Sequence, residues 1–112
     1  MEPSRGEIWG VDLNPVKGHE QGGRRPALII SVDGLNHGPA ELVILIPLTT
    51  RDKGIPHHIE VLPPEGGLTQ RGFIKCEDIR SVSKQRLAQR LGRISDETLQ
   101  QVEEALSMLL FP

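Results

Sequence analysis

Polar and apolar positions alternate with a period of two along much of this chain. Over residues 7–13, Trp9, Val11 and Leu13 fall on one face, the pattern of a half-buried strand. Residues 27–33 are β-branched and apolar and predict a second strand. Residues 42–48 are apolar throughout, which predicts a third strand buried on both faces. Pro47 has no N–H to give to a ladder, so it predicts a bulge or the end of that strand. Residues 58–62 alternate again, and residues 72–76 make a short fifth strand. Residues 79–82 and 87–94 predict two more. Residues 34–39, with Asn36, Gly38 and Pro39, read as a turn, residues 49–54 as a polar loop, and residues 63–67 as a Pro/Gly break. At Ser95 the period changes. Ser95 is a good N-cap, Asp96 and Glu97 suit the positive first turn, and Leu99, Val102, Leu106 and Leu109 recur at helical spacing. Short strands followed by one amphipathic helix predict a single, mainly β domain over residues 1–112, a small barrel closed by its C-terminal helix.

A net charge of −2 excludes a general basic coat but not a local basic groove. The single cysteine, Cys76, excludes an internal disulfide framework, fits a reducing cytosol and is expected in the core. No apolar run approaches the roughly 20 residues of a membrane span, and no secretory leader is visible, so a cytoplasmic location is expected. One Trp, two Phe and no Tyr argue against an RNA surface built on stacked aromatics. No metal site and no cofactor are expected: His57 and His58 are adjacent at a strand entry, where neighbours face opposite sides. Lys84, Arg86, Arg90 and Arg93 read as a solvated basic face. The apolar end Leu109-Leu110-Phe111 must dock on its own domain or on another subunit, and a homodimer is expected.

The chemistry concentrates between the first two strands, in His19-Glu20-Gln21-Gly22-Gly23-Arg24-Arg25-Pro26. Glycines give the loop freedom, two guanidiniums follow, and Pro26 biases Arg25 toward an extended backbone that aims its side chain. A rigidly held arginine after a glycine loop suits an anion such as a phosphate. The same residues also suit a glycine turn carrying two solvated arginines.

Taken in order, the motifs resemble those of the MazF/PemK family of toxin endoribonucleases. Arg5-Gly6-Glu7-Ile8-Trp9 opens as that family does, and Asp12-Leu13-Asn14-Pro15-Val16 continues it. Residues 20–26 are similar to its central signature, and Pro47-Leu48-Thr49-Thr50 to its Pro-apolar-Thr-Ser/Thr motif. Gly66-Gly67-Leu68, Ile79-Arg80 and Gln85-Arg86-Leu87 match weaker later signals. The resemblance implies an SH3-like barrel with a C-terminal helix, a homodimer, cleavage of single-stranded RNA, and neutralisation by a cognate MazE-like antitoxin. It further implies that Gln21, Gly22, Arg24, Thr50, Asp78 and Arg80 contact RNA, although Asp78 stands where many members carry Gln.

RNA carries its own nucleophile, the 2′-OH. Cleavage then needs a base, stabilisation of charge at phosphorus and an acid for the leaving 5′ oxygen. Arg25 suits the stabilising role, Thr49 can donate its hydroxyl to a phosphoryl oxygen, and Glu20 is the base or a partner of an arginine. His19 is a second acid/base candidate. Arg24, next to Arg25 on an extended chain, points the other way and would support binding. The expected product ends are a 2′,3′-cyclic phosphate and a 5′-OH. The alternatives are a non-enzymatic toxin of the CcdB group, which uses the same barrel to bind DNA gyrase, and a degenerate RNA-binding member.

Overall fold

β1 (Glu7–Asp12), β2 (Arg24–Ile29) and β3 (Leu42–Thr49) form the centre of a computed structural model that describes residues 2–15, 18 and 22–112. β4 (His58–Val61), β5 (Gly72–Lys75), β6 (Arg80–Ser83) and β7 (Leu87–Arg93) complete one antiparallel sheet in the order β4-β5-β3-β2-β1-β7, with β6 also paired to β3. Residues 42–48 alternate as an apolar run must when both faces are covered. Ile46 and Leu48 enter one core with Ile8, Leu28, Ile59, Val61 and Ile74, while Val43 and Leu45 enter the other with Trp9, Val11, Ala27 and Ile29.

Pro47 does not end β3, which runs on to Thr49. Along one edge, β3 pairs with β6 through Leu45 and then with β5 from Leu48. Pro47 falls in the gap between the two partners, where a missing N–H costs no ladder bond. β2 begins earlier than the apolar run because Arg24 pairs with Asp12 of β1. It ends earlier because the Ile30 and Ser31 amides both donate to the Ile44 carbonyl, at 3.0 and 3.2 Å. The turn expected at residues 34–39 overlaps a single helical turn, α1 (Asp33–Asn36). Its buried Asn36 side chain donates to the Ser31 carbonyl at 2.8 Å.

The barrel does not close. β4 and β7 are the outer strands, each with one ladder neighbour among the described residues. The turn at Glu65–Gly67 lies backbone to backbone on β7. A Cβ on Gly67 would fall 1.8 Å from the Leu91 carbonyl oxygen, and one on Gly92 2.5 Å from the Gly66 carbonyl carbon. Gly67 also has φ +71°, so glycine is required there on two counts.

α2 (Asp96–Leu110) covers one face. Ser95 caps it by accepting from the Thr98 amide at 3.1 Å. The inward stripe centres on Thr98, Val102 and Ala105, with Leu99 and Leu106 half-buried and Leu109 exposed. The apolar end therefore does not dock on its own domain: Met108 is 80% and Phe111 78% exposed.

Candidate functional site

The β2–β3 register brings the predicted pair together. Ala27 pairs with Pro47, Leu28 with Ile46 and Ile29 with Leu45; carried two residues further, the same register sets Arg25 across from Thr49. Both line a cleft of about 300 Å³, with Pro26, Leu48, Thr50, Gly67, Leu68, Thr69, Gln70, Arg71, Gly72 and Leu91. Arg25 is half-buried, and its Nε donates to the Gly22 carbonyl at 3.0 Å, which sets the plane of the guanidinium. Thr49 is buried at the strand end, where its Oγ1 accepts from the Arg51 amide at 3.2 Å. A hydroxyl that accepts keeps its own proton to donate. A planar guanidinium beside a hydroxyl donor, on apolar walls, is a suitable cradle for a phosphoryl group.

A second hollow, of about 320 Å³, continues past Arg25, Pro26 and Leu91 to Gly10, Val11, Arg24, Ala88 and Gln89. Arg24, exposed, thus lies on the same surface as Arg25 but not in the Thr49 cleft. Thr50 is at the cleft; Gly22 acts there through its carbonyl.

The loop that leads to Arg25 is pinned at its base. The Leu13 amide donates to the Gly23 carbonyl at 2.9 Å, and the Gly23 amide to Asn14 Oδ1 at 3.0 Å. Arg86 adds a clamp, donating from Nη1 to the carbonyls of Asp12 and Asn14. Glu20, Gln21 and His19 lie outside the described residues.

Asp78 and Arg80 line neither hollow. They form a largely buried ion pair, Arg80 Nη2 to Asp78 Oδ2 at 2.8 Å. In the basic group Arg90 and Arg93 are exposed, as a solvated face requires, but its members also act as tethers. Lys84 pairs with Glu2 at 2.9 Å, Arg90 with Glu7 at 2.7 Å, and Arg93 donates to the Arg5 carbonyl at 3.1 Å. Burial alone would raise the Glu7 carboxyl. Bonds from Arg90, Trp9 Nε1 and the Ser4 amide outweigh it and hold the group below its ordinary value.

Arg71 is the cleft residue that the sequence did not announce. Its guanidinium lies 4.9 Å from the Phe73 ring centre and is held by Glu60 and by Asp52, the latter at 3.2 Å. Those partners are 11 and 19 residues away in the chain, so no local spacing marks them.

His57 and His58 correct the expectation that they face apart. His57 sits in the turn before β4, not on the strand, and both rings turn their Nε2 atoms toward Glu77. Burial raises the Glu77 carboxyl, but the His58 hydrogen bond and the two nearby imidazoles bring it below the ordinary range. Cys76 is buried as expected. Burial, reinforced by Glu77, pushes its thiol up to about 12, so it is a core residue and not a nucleophile.

An open, coiled antiparallel sheet with one covering helix and an Arg/Thr cleft at its rim defines the architecture. The chain belongs to the PemK-like, MazF-like toxins of type II toxin–antitoxin systems, whose family model matches residues 4–110. It is 36% identical to Endoribonuclease EndoA of Bacillus subtilis over 111 residues, 98% of this chain and 96% of that one. Its fold is similar to MazF from Deinococcus radiodurans, with a TM-score of 0.88 at 32% identity, covering 98% and 97% of the two chains. A mycobacterial endoribonuclease solved in complex with its cognate antitoxin matches with a TM-score of 0.79 at 27% identity, over 98% and 97%.

Proposed function

We propose that this chain is the endoribonuclease toxin of a toxin–antitoxin pair and cleaves single-stranded mRNA in the cytoplasm at preferred sequences. The observation that carries the reading is the juxtaposition of Arg25 and Thr49 in one cleft. In the reaction, the 2′-oxygen bonds to phosphorus, the bond from phosphorus to the 5′ oxygen breaks, the 2′ proton passes to a base, and the departing 5′ oxygen takes up a proton from water. The products are a 2′,3′-cyclic phosphate and a 5′-OH. Arg25 offers two parallel N–H donors to the non-bridging oxygens, where negative charge grows in the transition state. Thr49 adds a neutral donor. Glu20 is proposed as the base from its place in the loop before Arg25. Arg24 and Thr50, both exposed, are proposed to hold the flanking strand together with Gln21 and Gly22, and Asp78 and Arg80, outside both hollows, are proposed to meet it further along. No step requires a metal, because the substrate supplies the nucleophile.

The active form is proposed to be a homodimer, supported by the uncovered apolar end of α2, and a MazE-like antitoxin is the proposed inhibitor. The test is direct. Purified protein is incubated with a long RNA and both new ends are mapped. Cyclic-phosphate and 5′-OH ends at recurrent sequences are expected. An unbroken RNA together with gyrase inhibition would support the non-enzymatic reading instead, and retention of unbroken RNA without gyrase inhibition would indicate a binding-only member.

A further inference from the structure

We infer that His57, His58 and Glu77 form a binding site for a divalent transition-metal ion, Zn²⁺ by donor type, separate from the RNA cleft. The ligand atoms converge. His58 Nε2 and His57 Nε2 lie 3.0 and 3.5 Å from the same oxygen, Glu77 Oε1, and all the ligand atoms lie within 4.8 Å of one another. Zinc–ligand bonds of about 2.0–2.2 Å in a tetrahedron set neighbouring ligand atoms roughly 3.3 Å apart. The two histidine–carboxylate separations are a few tenths of an ångström from that value. The imidazole rings stand at 88° with centroids 5.5 Å apart, so their nitrogens approach from different directions rather than stacking.

The supports are fixed. His58 begins β4 opposite Lys75 of β5, and the Cys76 amide donates to the His57 carbonyl at 3.3 Å. The turn at Cys76–Asp78 then presents Glu77. Two neutral imidazoles and one carboxylate suit a borderline-soft ion; magnesium and calcium want oxygen ligands. Only three protein ligands are present among the described residues, so a fourth position stays open. His57 also lines a hollow of about 300 Å³ with Pro56, Ala105, Met108 and Leu109, so the site adjoins the last turns of α2. The cleft lies at the other end of the β4–β5 hairpin, where Gly72 pairs with Val61.

The His58 ring is 2% exposed, and its Nδ1 has no hydrogen-bond partner among the described residues. Binding through Nε2 puts the proton on that buried Nδ1. Losing a supporting partner of this kind weakens a metal site by about 10–100-fold, so affinity in the micromolar range is expected rather than the tighter range of a structural zinc finger.

The experiment is calorimetric titration of metal-stripped full-length protein with Zn²⁺, alongside thermal unfolding. One ion per chain and a raised Tm are expected with Zn²⁺, and neither with Mg²⁺. His57→Ala and Glu77→Gln change half-exposed side chains, so both variants should fold. Each should weaken Zn²⁺ binding by at least about tenfold. His37→Ala, at a histidine outside the cluster, should leave binding unchanged. Failure of Zn²⁺ to bind, or binding that survives His57→Ala and Glu77→Gln intact, overturns the site. If the variants misfold, ¹⁵N spectra of the wild-type imidazoles decide: Zn²⁺ must shift the Nε2 signals of His57 and His58, and unmoved signals overturn it.

Discussion

Arg25 and Thr49 differ in what each can contribute. The guanidinium is charged, oriented by the Gly22 carbonyl and half-buried; the hydroxyl is neutral and buried at a strand end. Arg25→Ala should leave the fold intact and cut the single-turnover cleavage rate by about a hundredfold or more, the loss typical when one charge-stabilising donor is removed. Thr49→Val keeps the β-branched shape and should cost less, because a neutral donor is roughly half as strong as a charged one. If both act on one transition state, the double variant should be little worse than Arg25→Ala alone. Arg24→Ala should weaken RNA binding more than turnover. Greater damage to turnover from Arg24→Ala than from Arg25→Ala would transfer the stabilising role between them.

Elements hold these residues through a few polar ties and close backbone contacts. Glu7 joins β1 to β7 through Arg90 and satisfies Trp9 and Ser4. Glu7→Gln keeps an acceptor and loses the charge, and should cost about 1 kcal/mol or less given that Arg90 is half-exposed. Glu7→Ala also strands the Trp9 and Ser4 donors and should cost about 1–3 kcal/mol. The pH dependence has a defined sign. The folded carboxyl sits below its ordinary value, so its stabilisation is complete above the ordinary carboxylate range and fades as pH falls through the lower folded value. Urea unfolding of wild type and Glu7→Gln should therefore differ at neutral pH and converge on acidification. Gly67→Ala meets both a positive φ and the Leu91 carbonyl, so a loss of at least about 1–3 kcal/mol is expected in the same measurement. Ser95→Ala removes the cap of α2 and should cost about 1 kcal/mol.

At the scale of the whole molecule, the uncovered residues of α2 make association the expected state. Stable dimers commonly bury roughly 1,200–2,000 Å² or more, and Met108, Leu110 and Phe111 offer an apolar start to such a surface. Sedimentation at micromolar concentration should give a dimer mass, and Phe111→Glu should shift the equilibrium toward monomer. Chelation should leave RNA cleavage in place, since cleavage is proposed to need no metal. If EDTA abolishes cleavage and a divalent ion restores it, the mechanism is wrong. No described helix is long and apolar enough to cross a membrane.

Period and punctuation are local properties of a chain, and what depends on them was legible in the sequence. The two-faced run at residues 42–48, the helix beginning after Ser95, the glycine loop before Arg25 and the core position of Cys76 each follow from neighbours a few residues apart. Tertiary structure decided what depends on residues far apart in the chain. Register across β2 and β3 set Arg25 against Thr49, and Glu60 and Asp52 brought Arg71 to the cleft. Pro47 proved harmless because β3 changes partners there, and β4 and β7 at the two ends of the sheet do not pair. His57 turned toward Glu77 because it lies in a turn, where strand alternation no longer applies. The physical reason is common to all of these: backbone sterics and side-chain periodicity are fixed within a few residues, whereas register, partner exchange and ion pairing are settled only when distant segments pack.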